Sequence, residues 1–230
     1  MDRQSPRGIS VLRMQQIDTA AIDTFKIPRL LLMEHAGMAV GRAVAHHTAD
    51  ARPVILICCG IGFNGGDGLA AARHLHAWGY PLSLVLLGRI EALRDEPSIY
   101  AAILERLGLS IIELTARSGG AWERFEVQLR RCGLVVDAML GIGARGSIRE
   151  PMASVISRIN AARAPVIAVD IPSGLDAQTG RVAHVAIRAT RTVTFGLPKR
   201  GCFLDEGPAH VGALNVDAIT IPRPLLVERP

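Results

Sequence analysis

Aromatic residues are scarce, 4 % of 230, and no block of five basic residues occurs. The usual footprint of a nucleic-acid binder, a basic run interleaved with stacking rings, is therefore missing. There are only four cysteines, Cys58, Cys59, Cys132 and Cys202, and none forms a CxxC pair. This argues against a disulfide framework or a zinc cluster and fits reduced thiols in the cytosol. The opening MDRQSPRGIS lacks the apolar stretch of a signal peptide. No apolar run approaches the roughly 18 residues of a membrane helix. HExxH is absent, and His74 and His76, two apart on a predicted helix, diverge. The expectation is a soluble cytoplasmic protein with no nucleic-acid or membrane partner. What is present is ordinary globular material, 49 % apolar and 20 % charged, with a net charge of +5. That mild excess suits an anionic small molecule as well as nucleic acid and decides nothing alone.

Residues 1–9 are polar, with Pro6 and Gly8, and read as a flexible tail before one domain over 10–230. Ser10 is placed to cap a helix over about 11–24, with Val11, Met14, Ile17, Ala21 and Phe25 at helical spacing. Pro28 opens a second helical pattern over about 29–47. Short apolar runs then alternate with helical stretches: 53–59, a helix to Trp78, 82–87, a helix over 97–107, 109–112, 133–136, a helix over 150–162, 165–169, 192–196 and 213–217. That alternation predicts a Rossmann-like three-layer αβα sandwich around a mostly parallel sheet. In such sheets ligands bind beyond the carboxyl ends of the strands, which directs attention to the loops after Cys59, Val136 and Val169.

The first of these, Gly60-Ile-Gly-Phe-Asn-Gly-Gly-Asp-Gly68, carries GxGxxG after a strand and before a helix, a context that cradles phosphates on backbone N–H groups. A dehydrogenase site would want an acidic residue about 20 positions on; here the next run ends at Gly88-Arg89. Asn64 and Asp67 also sit within the Gly-rich segment, and a carboxylate repels a pyrophosphate unless a cation intervenes. The second loop runs from Asp137 through Gly141, Gly143, Arg145, Gly146 and Ser147; the third is Asp170-Ile-Pro-Ser173-Gly-Leu-Asp176. Asn64, Asp137, Asp170 and Ser173 thus gather at one sheet end. These are hard oxygen donors without sulfur or imidazole, suited to an alkali or alkaline-earth cation.

These loops resemble the NAD(P)H-hydrate epimerase family, also called the YjeF N-terminal domain family. The likeness runs from about 11 to 217 through LLMEHAG (31–37), GIGFNGGDGLAAARHL (60–75), VDAMLGIGARG (136–146), AVDIPSGLDAQTG (168–180) and TVTFGLPKRG (192–201). The resemblance implies an enzyme that interconverts the R and S epimers of NADHX and NADPHX, nicotinamide dinucleotides hydroxylated at C6 of the reduced ring. It implies a homodimer, a bound potassium ion, and a separate dehydratase as pathway partner, since the length leaves no room for that domain. By motif, potassium falls to Asn64, Asp137 and Ser173. The dinucleotide falls to Phe63, Asn64, Gly65, Gly66 and Asp67, to Gly141, Ile142, Gly143, Ala144, Arg145, Gly146 and Ser147, and to Asp170 and Lys199. The chain departs from the family's usual pattern at Phe63 (usually Asn), at His35, and at Thr190 and Arg191.

Epimerisation requires the C6–O bond to break and re-form on the other face. A carboxylate is expected to protonate the departing oxygen, deprotonate incoming water and stabilise the positive charge between the two steps. Asp170 is the expected catalytic residue, with Asp137 the second choice. Two other readings stand beside this one: a non-catalytic scaffold of the same fold, and an NADP-dependent dehydrogenase.

Overall fold

The computed structural model describes residues 8–49, 51–117, 119–143, 146 and 148–227. Two helices precede the sheet, α1 (Val11–Asp23) and α2 (Arg29–Thr48). The Ser10 side chain accepts from the Arg13 amide at 3.1 Å and starts α1 as its sequence predicts. Phe25 lies beyond the end of α1 and is exposed, so it is not part of the apolar stripe, which ends at Ala21. The tail expected over 1–9 is described only at Gly8 and Ile9. There Ile9 pairs with both sides of Lys199: its amide donates to the Pro198 carbonyl at 2.8 Å, and its carbonyl accepts from Arg200 at 2.9 Å.

The sheet is built from β1 (Ile55–Cys59), β2 (Leu82–Leu86), β3 (Ile111–Glu113), β4 (Leu134–Ala138), β5 (Val166–Val169), β6 (Arg191–Phe195) and β7 (Ala213–Asp217). Their order is β3-β2-β1-β4-β5-β6-β7 and every pairing is parallel. Between the strands run α3 (Phe63–Ala77), α4 (Asp95–Arg106), α5 (Gly119–Arg131), α6 (Met152–Ala161) and the short α7 (Gly207–Val211); α8 (Arg223–Leu226) follows β7. Alternate residues of β1 face opposite layers. Ile55, Ile57 and Cys59 pack with α2, α3 and α4, whereas Leu56 and Cys58 pack with α5 and α6. Burial on both faces explains why the run is continuously apolar rather than alternating.

Two features differ from the sequence expectations. Helix α5 has no counterpart in the sequence pattern: its buried positions, Ala121, Phe125 and Leu129, form a thin stripe among charged neighbours. The Gly-rich segment after β1 is mostly helix, not loop, since α3 begins at Phe63. His74 is a core histidine, 3.1 Å from a Glu34 oxygen and 5.8 Å ring-to-ring from Trp78. Among the described residues no helix is long and apolar enough to cross a membrane.

Candidate active site

The strand order reverses between β1 and β4, opening a crevice at their carboxyl ends. A cavity of about 790 Å³ occupies it, within the range of pockets that hold cofactors. One wall is the start of α3. Gly60 and Gly65 are required there for close approach. A Cβ on Gly65 would sit 1.8 Å from the Gly60 carbonyl oxygen, and one on Gly60 2.0 Å from that of Met139. The helix end so formed presents its first N–H groups and its positive dipole to the cavity. Asn64 and Asp67, three apart on a helix, share one face, and both line the cavity.

Beneath that wall lies Asp137, fully buried at the end of β4. Its carboxylate accepts from Ser173 N at 2.8 Å, Ser173 Oγ at 2.6 Å and Met139 N at 3.3 Å. Leu140 ties the group together: its amide donates to Ser173 Oγ at 2.9 Å and its carbonyl accepts from Asn64 Nδ2 at 3.0 Å. Burial pushes the Asp137 carboxyl up to about 6, against the downward pull of the Ser173 and Met139 donors. Among the described residues no cationic side chain contacts Asp137, and no group of three or more His, Cys, Asp or Glu is placed to hold a metal ion. One buried carboxylate among neutral oxygens matches a hard cation of single charge better than a divalent one.

Asp170 directly follows β5 with φ of +64°, a left-handed backbone that Asp adopts more readily than most non-glycine residues. Its Oδ1 accepts from Thr194 Oγ1 at 3.1 Å, from the Phe195 amide at 3.2 Å and from the Lys199 ammonium. Lys199 is 1 % exposed and also donates to Thr194 Oγ1 at 3.1 Å and the Phe195 carbonyl at 2.9 Å. Only two of the chain's 26 basic residues are lysines, and this one is held by its Ile9 neighbours as well.

Helix α1 closes the front of the cavity with Met14, Gln15, Asp18, Thr19 and Ile22. None of its polar residues was singled out from the sequence. The available signal was Asp18 itself, a carboxylate one turn from Met14 and one turn from Ile22 on an otherwise apolar stripe. Burial pushes Asp18 up to about 6, with Lys199 and Arg29 pulling it down and Asp170 pushing it further up. Burial likewise lifts Asp67 well above the ordinary carboxylate range; the Asp170 and Asp18 charges add to the rise and Lys199 opposes it. At the mouth, the Arg29 guanidinium stacks 4.7 Å from the centre of the exposed Phe63 ring.

Of the residues expected from sequence, Phe63, Asn64, Asp67, Gly141, Ile142, Gly143, Asp170 and Lys199 line this cavity. Asp137 and Ser173 lie fully buried under it. Gly65 and Gly66 are packed behind the wall, against Gly60 and against Met33 and Pro97. Gly146 lines a second depression of about 420 Å³ on the far side of Leu140 and Gly141. Ala144, Arg145 and Ser147 lie outside the described residues.

A doubly wound parallel sheet, a helix N-terminus and an acidic floor around one buried lysine define an α/β protein with an enzyme-like pocket. The family described as YjeF-related protein N-terminus matches residues 29–201, and the chain belongs to that family. Over 95 % of its length it is 39 % identical to the bifunctional NAD(P)H-hydrate repair enzyme Nnr of Moorella thermoacetica, covering 41 % of that protein. Over 91 % of its length it is 35 % identical to the NAD(P)H-hydrate epimerase of Limosilactobacillus fermentum, covering 95 % of it. A Weissella koreensis protein of the same name is 34 % identical, with 94 % and 93 % covered. The chain thus spans about two fifths of the bifunctional relative and nearly all of the two epimerases. The crystal structure of yeast ynu0 shares the fold, with a TM-score of 0.80 at 24 % identity over 94 % of this chain and 90 % of that one.

Proposed function

We propose that this protein is an NAD(P)H-hydrate epimerase, acting on NADHX and NADPHX in repair of nicotinamide cofactors. The observation that carries the reading is a carboxylate pinned by a buried lysine, Asp170 on Lys199, inside a cavity walled by a helix N-terminus. The helix end suits a pyrophosphate. Asp170 supplies a fixed negative charge where loss of the C6 hydroxyl leaves a planar, iminium-like ring. A preorganised charge of this kind lowers the barrier because it costs no reorganisation at the moment of reaction. The scaffold reading is less well supported, since Asp67, Asp137, Asp170, Ser173 and Lys199 are all in place. From the resemblance we carry over a cytoplasmic homodimer that passes S-epimer to a separate dehydratase. The test is conversion of separated R-epimer hydrate in potassium buffer, with S-epimer followed by chromatography against Asp170→Asn. The expected result is conversion well above that variant; equal slow conversion by both would return the scaffold reading.

Potassium is proposed at Asn64, Asp137 and Ser173. Bound there it would neutralise Asp137, order the Leu140 turn and add positive potential beside the phosphates. A ligand that binds only the native state raises its stability. Replacing choline chloride by potassium chloride at equal ionic strength is therefore expected to raise the melting temperature by a few degrees. Asp137→Asn is expected to lose that increment, whatever its own melting temperature. A wild-type melt indifferent to potassium would remove the cation from this site.

A further inference from the structure

Three carboxylates reach into the interior of the cavity, with Asp23 exposed at the mouth. They differ in what they are free to do. Asp170 Oδ1 accepts from Lys199, Thr194 and the Phe195 amide, which fixes that carboxylate in place beside a cation, and the three protons of Lys199 have their own acceptors. Asp67 on α3 and Asp18 on α1 are different. Among the described residues neither accepts a side-chain hydrogen bond nor joins an ion pair, yet both line the cavity. The one buried ammonium balances one carboxylate. A second and third negative charge lining the same cavity repel each other, so a proton held by one of the pair is favoured. The upward displacement of both carboxyls agrees with this count.

The proposed reaction needs that arrangement. Hydroxyl leaves C6 on one face and water must add on the other, so proton transfer is required on both faces of one planar ring. A single fixed group serves only one of them. Resting on the epimerase reading, we propose that Asp67 and Asp18 form a paired acid and base, one for each face of C6, while Asp170, held by Lys199, supplies the fixed charge.

In one direction the protonated member gives its proton to the C6 hydroxyl. The C–O bond breaks with its electron pair on the departing water, and the ring nitrogen lone pair completes the C=N⁺ bond. Water then attacks from the opposite face. A new C–O bond forms, the C=N⁺ pair returns to nitrogen, and the other, ionised carboxylate takes the water proton. The proton has moved from one carboxylate to the other, and the reverse reaction starts from that state with the roles exchanged. No oxidant or reductant enters.

The experiment supplies each hydrate epimer separately, in ¹⁸O-labelled water, to wild type, Asp67→Asn and Asp18→Asn. Mass spectrometry reads label at C6 and chromatography reads configuration, both corrected for enzyme-free exchange. Asn is close in shape and removes charge repulsion, so both variants are expected to fold, which a thermal melt checks. Wild type is expected to label and invert both epimers. Each variant is expected to lose inversion by about 100-fold or more. Each is expected to keep labelling with retention of one epimer, whose hydroxyl faces the surviving carboxyl, and the two variants are expected to keep opposite epimers. Inversion within about threefold of wild type in either variant overturns the assignment, as does retention of the same epimer by both or exchange by neither. A wild type that neither labels nor inverts overturns the epimerase reading itself, a distinct result.

Discussion

Asp170→Asn is expected to lower turnover of the hydrate epimers by about 10²–10³-fold, the usual cost of removing one preorganised charge from a catalytic site. It is also expected to destabilise the fold. Lys199 is 1 % exposed, and Asp170 is its only anionic partner among the described residues. Breaking a buried pair by removing one member leaves an uncompensated charge and costs about 3–5 kcal/mol, more than the pair contributes against an apolar replacement. Asp170→Asn combined with Lys199→Met is therefore expected to recover much of the lost stability and none of the turnover. Denaturant unfolding and the chromatographic assay separate the two effects. Near-normal turnover in Asp170→Asn would contradict the electrostatic role, and a double variant no more stable than the single one would contradict the burial argument.

Asp67→Asn is expected to do the opposite to stability: it should melt above wild type at pH 8 while losing turnover. The native structure raises the Asp67 carboxyl above its ordinary range, through burial first and then the charges of Asp170 and Asp18, against Lys199. A group whose folded value is raised favours the folded state below its unfolded value and loses that contribution as pH rises through the folded value. At alkaline pH wild type therefore folds at the cost of either taking up a proton at Asp67 or ionising it in the cavity, a cost that Asn lacks. The gap between variant and wild type should shrink on acidification and close near pH 4. Asp18→Asn should behave alike in a narrower window, because Asp18 is lifted only from 3.8 to about 6. For Asp18, which is partly open to solvent, the effect is about 1–2 kcal/mol after screening, or a few degrees in melting temperature. A melting temperature for Asp67→Asn at or below wild type at pH 8 would remove the argument. Stability given up at a reacting centre is a common trade for function.

The outline of the fold was legible from residue order because its signals are local. Runs such as Ile55–Cys59 and Val166–Val169 are buried on both faces and read as parallel strands, and Ser10 and Pro28 mark where α1 and α2 begin. Helix α5 is not legible in the sequence because a stripe of one apolar residue every fourth position resembles a solvated segment. The start of α3 reads as a loop in sequence because glycines usually mean one. Here they serve contact instead: a Cβ on Gly68 would lie 2.4 Å from that of Ala138, so helix and strand meet only if the side chain is absent.

Residue order by itself determined the sheet, the three loops at its carboxyl edge and the acidic residues that end β4 and β5, because strand burial and turn chemistry are set within a few positions. Only the tertiary structure decided which carboxylates are tied and which are free. Asp18, Asp67, Asp170 and Lys199 come together from positions far apart in the chain. The carboxyls of Asp18 and Asp67 are displaced by the water they lose and the charges they meet there, and both are properties of the assembled cavity.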